Sequence, residues 1–320
     1  MPFDQYQRYR LLAEAVAILE GGRPPLSIVE VGGFPPRLPL FLPGRAITVV
    51  DRVEAEAPGY VRADGAALPF PDRAFGIAAS LDALEHVPPS RRADFISELC
   101  RVASGFVIVA APFASPAVRA ADRTIFEFVR EHGGYEHPYL KEHLEIEPPD
   151  RDAYARQMVE AGLDVRIVPS GRLDRWLLMM TAYYTLDADP QLRPALPFVM
   201  EAYNRAFFQL DRAEPAYRHF LIGACEPLGP RADALAALIS TEPGAALDPG
   251  IVAAAREFAR ALVRRAQDRE CAGLAAELAA REVELQALRE ENQALHEFQR
   301  QVKSLPLYSL YERFLKPRKK

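Results

Sequence analysis

Hydrophobic positions follow two rhythms along this chain. Over residues 4–20, Tyr9, Leu12, Ala13, Val16 and Leu19 recur at helical spacing and Gly21-Gly22 ends the run, which predicts an amphipathic helix. Short apolar runs follow at 27–31, 46–50, 61–63, 75–80, 106–111 and 163–168, the fifth closed by Pro112. Such runs lack polar alternation, as expected of strands buried on both faces of a parallel sheet. Helical spacing returns between Ser90 and Val102, with Phe95, Ile96, Leu99 and Cys100 inward, and again from Arg151 to Ala161 before Gly162. Pro35, Pro36, Pro39 and Pro43 leave room for a short helix at most in 34–45, where a crossover helix is expected. The stretch 113–150 reads as irregular and rich in His, Gly and Pro, and 172–211 reads as helical. Tyr217 to Cys225 is a last strand that inserts antiparallel beside the sixth. Strands alternating with helices predict an α/β fold, a doubly wound sheet of seven strands.

From about residue 230 the chain turns to Ala, Leu, Arg and Glu. Cys271, Leu278, Leu285 and Asn292 take the a positions of a heptad frame, and Leu274, Leu288, Leu295 and Val302 take d. Arg281 is the one fault at d, and Asn292 at a is a device that sets register and dimer state. This predicts a coiled-coil helix over 266–303 and a homo-oligomer built through it. The expected division is a domain over 1–230, a helical linker over 231–265, the coiled coil, and a basic amphipathic tail over 304–320. In that tail Leu305, Leu307, Leu310, Tyr311 and Phe314 precede Lys316, Arg318, Lys319 and Lys320, a pattern suited to a partner or an anionic membrane surface.

Composition narrows the picture little. Hydrophobic residues make up 49% and charged residues 26%, and the net charge of −5 gives no global pull toward nucleic acid. No apolar run reaches the length of a membrane span, and charges interrupt the N-terminal apolar positions as they do not in a signal peptide. Three widely spaced cysteines without a CxxC pattern point to a reducing compartment, so cytoplasm is expected, with peripheral contact at the inner membrane face through the tail.

The chemistry gathers at strand ends. Glu30-Val31-Gly32-Gly33 puts an acid and a glycine turn at the first, where backbone can approach a ligand closely. Asp51 closes the second, placed to bind a ribose diol. Asp64-Gly65 precedes a Leu68-Pro69-Phe70-Pro71-Asp72 loop ending at Phe75, and Ser80-Leu81-Asp82-Ala83-Leu84-Glu85-His86-Val87 follows the fourth strand. These four pieces, in this order and spacing, resemble the cofactor half of a class I S-adenosylmethionine-dependent methyltransferase of the small-molecule type. The resemblance covers the first 110 residues well and the rest to 226 through strand order.

The resemblance implies a Rossmann-like fold, S-adenosyl-L-methionine as cofactor and a small-molecule or glycan acceptor, methylated at oxygen. It implies cofactor contacts from Glu30 to the ammonium group, from Gly32 and Gly33 to the methionine part, and from Asp51 to both ribose hydroxyls. Asp64 and Gly65 would meet the adenine, while Arg52, Ser80 and Leu81 line the site. Phe34 and Pro36 stand where that family has glycine, so the first turn must be reshaped. An acceptor hydroxyl calls for a base, and His86, Glu85 and His143 are the candidates. His132, His137 and His143, with Tyr135, Glu136 and Glu142, form a polar aromatic loop suited to an acceptor site or lid. Their spacing matches no compact ligand set, so no metal is expected. Trp176, Met179, Met180, Tyr183, Tyr184, Phe207 and Phe208 read first as core and second as an acceptor wall. Two rivals are a non-catalytic scaffold that keeps the fold, and an NAD-type oxidoreductase. The latter is disfavoured because Glu30-Val31-Gly32-Gly33 lacks the GxGxxG spacing.

Overall fold

A computed structural model describes residues 1–241 and 249–304. Two compact units divide the chain, Met1–Arg260 and Ala261–Lys320.

The first unit is built on a seven-stranded sheet. In chain order its strands are β1 (Ile28–Val31), β2 (Ile47–Asp51), β3 (Tyr60–Arg62), β4 (Phe75–Leu81), β5 (Ala103–Ala111), β6 (Asp164–Arg172) and β7 (Ala216–Ala224). Their spatial order is β3-β2-β1-β4-β5-β7-β6. The first five run parallel, and β7 is antiparallel to both β5 and β6. The order reverses direction between β1 and β4, and ligands bind at the carboxyl ends of strands beside such a switch point.

Alternate side chains of the strands feed two cores, one on each face. Helix α1 (Phe3–Glu20) lays Leu12, Val16 and Leu19 on Ile28, Ile77, Ile108 and Ile222. Helix α2 (Arg92–Val102) lays Phe95, Ile96 and Leu99 on Val29, Val31, Ala78, Val107 and Leu221. Each such fully buried apolar side chain contributes about 1.5–3 kcal/mol. Burial on both faces explains why β1 shows no polar alternation: all four of its residues are buried, including Glu30.

The stretch 113–150 is not irregular. It forms α3 (Pro116–Gly133) and α4 (Pro138–Glu145). Ser115 caps α3 by accepting the Val118 N–H at 3.0 Å, Pro116 sits in the first turn, and Gly134 ends the helix in the left-handed conformation. Val118, Ala121, Ile125, Phe128 and Val129 supply a buried stripe. That spacing outweighs the His, Gly and Pro content on which the loop reading rested. The stripe packs with α6 (Leu173–Ala188) and α7 (Leu196–Phe207) into a third core containing Trp176, Met179 and Tyr203. Helix α5 (Arg151–Glu160) follows its Asp150 cap, and α8 (Pro230–Ala236) follows the sheet.

Helix α9 (Pro249–Ser304) runs unbroken for 56 residues. Within the second unit Leu274, Leu278, Leu285, Leu288 and Leu295 are each at least half exposed. The side chain of Val302 and the residues 305–320 lie outside the described residues. No helix among the described residues is long and apolar enough to cross a membrane.

Candidate active site

A cavity of about 880 Å³ opens at the carboxyl ends of β1, β2 and β4. Of the twelve residues singled out from the sequence, ten line it: Gly32, Gly33, Asp51, Arg52, Asp64, Gly65, Leu81, Glu85, His86 and His143. Glu30 and Ser80 sit behind its wall, 0% and 1% exposed.

The wall at β1 is thin because it is glycine. Gly32 holds φ +81°, and a Cβ there would collide with the Ala83 Cβ. A Cβ on Gly33 would come within 2.7 Å of Glu30 Oε2, so the Glu30 carboxyl lies directly beneath that turn. Neither Glu30 oxygen makes a hydrogen bond. Burial pushes this carboxyl up to about 7, opposed by the nearby Tyr9 hydroxyl and Arg8 guanidinium. Gly65 is held equally close, since a Cβ would stand 2.7 Å from Phe95 Cδ2 and 2.8 Å from Val31 Cγ1.

Two acids face the opening. Asp51 accepts the backbone N–H of Arg52 at 2.7 Å and of Val53 at 3.3 Å on Oδ1, and of Phe34 at 3.2 Å on Oδ2. Asp64 Oδ1 accepts the Ala66 N–H at 3.0 Å, and Arg91 lies 3.6 Å from its other oxygen. The reshaped turn is made at Gly32, without positive φ at Phe34. The Phe34 ring packs edge-on against Tyr60 at 5.1 Å, and Phe34, Pro35 and Arg37 complete this end of the wall.

A buried ion network crosses the middle of the cavity. Asp82, just past β4, holds φ +49°, a conformation an L side chain rarely adopts. Its carboxylate accepts from Arg218 of β7 and Arg8 of α1. Arg218 also donates to Asp4 at 3.0 and 3.2 Å and is itself 1% exposed. Burial alone would raise the Asp82 carboxyl, but the Arg218 and Arg8 guanidiniums hold it at about 2. Sequence reading missed this network apart from quoting Asp82 within a motif. The one visible signal was Arg218, a charge inside the strand run Tyr217 to Cys225.

At the far end stand Glu85, His86 and His143. Glu85 and His86 lie on a short 3₁₀ turn after β4, and His143 lies in the last turn of α4. Buried Arg92 fixes that turn by donating to the carbonyls of Glu85 at 2.9 Å and Val87 at 2.9 Å, and to that of Glu147 at 2.6 Å beyond α4. The two imidazoles are 5.2 Å apart between ring centres. Burial, and then the Asp82 charge, push the Glu85 carboxyl up to about 8. Burial and the neighbouring His143 lower His86. Burial would lower His143 as well, but Asp122 outweighs it and the net direction is up. Trp176, Met180, Tyr183 and Tyr184 of α6 also face the cavity, so the stripe read as core serves as wall too. Of the polar loop, His137 and Tyr139 line the cavity with His143.

Residues 45–109 match the family model described as a methyltransferase domain. No curated protein matches the chain. Among solved structures, a methyltransferase from Thermotoga maritima is 15% identical, with a TM-score of 0.42, covering 70% of this chain and 95% of its own. Magnesium protoporphyrin IX methyltransferase from Synechocystis with bound S-adenosylhomocysteine is 14% identical, with a TM-score of 0.40, covering 69% and 84%. A phosphoethanolamine N-methyltransferase from Haemonchus contortus is 14% identical, with a TM-score of 0.40, covering 67% and 52%. The glycine cradle at β1, Asp51 ending β2 and Asp64 just past β3 stand at the strand ends where the sequence resemblance expects the cofactor contacts. Over residues 45–109 the chain is thus similar to a methyltransferase domain, carried here on a seven-stranded sheet.

Proposed function

We propose that this protein transfers a methyl group from S-adenosylmethionine to an oxygen of a small-molecule or glycan acceptor. The reading rests on how this cavity divides. Its β1–β2 end offers close backbone and two carboxylates, and its far end offers Glu85, His86 and His143 beneath the aromatic wall of α6.

Bound, the cofactor would supply an electrophilic methyl on a sulfonium. Asp51 would accept from the ribose and Asp64 from the adenine amino group, with Gly65, Arg52 and Leu81 beside them. Gly32 and Gly33 admit the methionine part, and buried Glu30 answers its ammonium through the turn above it. Ser80 supports the wall from behind. Methyl transfer is an in-line displacement, so much of the rate comes from holding the acceptor oxygen in line. Of the three polar groups at the far end, His86 is the one whose surroundings favour the form without the extra proton, and it takes the acceptor proton when no metal ion is bound there.

Calorimetric titration with S-adenosylmethionine and S-adenosylhomocysteine tests this, on the wild type and on Asp51→Ala. Saturable binding that weakens in the variant is expected. No heat from either ligand would leave the non-catalytic scaffold as the reading, and heat with NAD instead would favour the oxidoreductase.

The chain also self-associates through 266–303 in this reading, with 1–230 as the catalytic part, 231–265 as a linker, and 304–320 as a tail that touches a partner or the inner membrane face from the cytoplasm. The exposed Leu274, Leu278, Leu285, Leu288 and Leu295 support it, because a lone helix gains nothing from such a row. Sedimentation of the full chain with Leu278→Asp and Leu285→Asp should show a smaller assembly than the wild type. An unchanged mass would remove the coiled coil.

A further inference from the structure

Glu85, His86 and His143 each offer a ligand atom, and all three atoms lie within 4.8 Å of one another. We propose that they form a binding site for one divalent transition-metal ion, of the zinc, manganese or iron(II) type, at the acceptor end of the cavity. The inference rests on the methyl-transfer reading for its purpose but not for its geometry.

Three observations carry it. The donor set is two imidazoles and one carboxylate, a combination that suits borderline divalent ions and leaves further coordination positions open. Glu85 is 6% exposed and its Oε2 accepts no hydrogen bond. A buried carboxylate oxygen left without a donor is costly, and a cation supplies the missing partner. Third, each imidazole has an acid near its Nδ1, directly or through a hydroxyl. His86 Nδ1 stands 3.1 Å from Glu142 Oε2, off the line of a good hydrogen bond, and His143 Nδ1 stands 3.4 Å from the Tyr217 hydroxyl, which donates to Asp122 Oδ1 at 2.8 Å. An acid held behind a histidine, directly or through a hydroxyl, orients the ring and supports it as a ligand, the usual outer support of a metal-bound histidine. Solvated polar residues at a loop would carry no such backing. The site also stays open on one side, since all three residues line the cavity.

An ion held here would coordinate an acceptor hydroxyl as a Lewis acid. The O–H bond would break with its proton leaving to solvent, the oxygen pair would form the bond to the methyl, and the methyl–sulfur bond would break with its pair returning to sulfur, so that S-adenosylhomocysteine leaves as a neutral thioether. His86 then serves as a ligand rather than as the base. The acceptor class this favours is one with two neighbouring oxygens, such as a vicinal diol or a hydroxy acid, able to chelate the open positions.

The experiment uses the full chain, stripped with chelator and titrated with Zn²⁺ by calorimetry and with Co²⁺ by visible absorption. One equivalent should bind with micromolar or tighter affinity, and Co²⁺ should give d–d bands. Glu85→Gln, His86→Ala and His143→Ala should each weaken binding at least tenfold. S-adenosylhomocysteine is titrated into the same samples. Variants that keep their cofactor affinity while losing the ion support the site. No saturable binding at 100 µM of either ion, or binding that survives all three substitutions, overturns it. If the wild type binds the ion but not the cofactor, the metal site stands and the methyl-transfer reading falls.

Discussion

Asp82→Asn isolates the ion network that crosses the cavity. Asparagine tolerates the left-handed backbone that Asp82 adopts at φ +49°, so the change removes charge without adding strain. What remains is two guanidiniums, Arg8 and Arg218, sharing Asp4 alone. The side chain of Asp82 is 13% exposed and that of Arg218 1%, so solvent replaces little of the lost attraction. A carboxyl held at about 2 rather than 3.8 carries about 2–3 kcal/mol of stability at neutral pH. Breaking a buried ion pair by removing one partner costs about 3–5 kcal/mol. The expected loss at pH 7 therefore lies between about 2 and 5 kcal/mol, read from the first unit's transition in urea unfolding.

The pH dependence gives the sharper check. The folded pKa is depressed, so the stabilisation is complete above the unfolded value near 4 and is lost as pH falls toward 2. The wild type's advantage over Asp82→Asn should thus be full at pH 6 and roughly 1 kcal/mol smaller by pH 3. A difference below 1 kcal/mol at pH 7, or one that does not shrink with acid, would refute a charged, buried Asp82.

Gly32→Ala forces a Cβ into Ala83 at a positive φ, so it should destabilise the fold by about 1–3 kcal/mol and weaken S-adenosylhomocysteine binding at least tenfold; unchanged titration heats would mean that the cofactor does not approach this turn. Burial, with Cys225 nearby, pushes the Cys100 thiol up to about 11, which leaves about one part in a thousand as thiolate at pH 8. In the Leu278→Asp, Leu285→Asp chain, whose 266–303 helix is unpaired, Ellman's reagent at that pH should therefore modify one thiol rapidly, Cys271, and adding Cys271→Ser should abolish the fast phase. A fast phase persisting in that variant would show that Cys100 or Cys225 is open to solvent.

The strands were legible because both faces of the sheet are buried. Ile28 and Val29 supply one core each, and an apolar run without alternation is the sequence mark of a strand that does this. The lower half of the site was legible for a related reason: a strand end that meets a ligand needs glycine or an acid there, and Gly32, Asp51 and Asp64 stand in line. The upper half was hidden by chain distance. Arg218 pairs with Asp4 across 214 residues and with Asp82 across 136, and no local pattern encodes such a pairing. His143 joins Glu85 and His86 only because α3 and α4 fold back over the sheet, and reading 113–150 as irregular removed the elements that bring it there. Spacing along the chain therefore argued against a metal, whereas the fold brings together three donor side chains that spacing does not.

Phe34-Pro35-Pro36 is the departure whose consequence the geometry states most clearly. The resemblance implied that Asp51 binds both ribose hydroxyls. A carboxylate offers about four acceptor positions, and three are already taken by the N–H groups of Phe34, Arg52 and Val53. With Phe34 in place of glycine, its amide turns back onto Oδ2, and Pro35 and Pro36 have no N–H to offer a ligand instead. One open position means one charge-assisted bond to the ribose. Asp51→Asn should then lower S-adenosylhomocysteine affinity about ten- to hundred-fold, the range for a single hydrogen bond to a charged group. A loss beyond a thousand-fold would show that the Phe34 amide gives way and both hydroxyls bind, and no loss would place the ribose elsewhere.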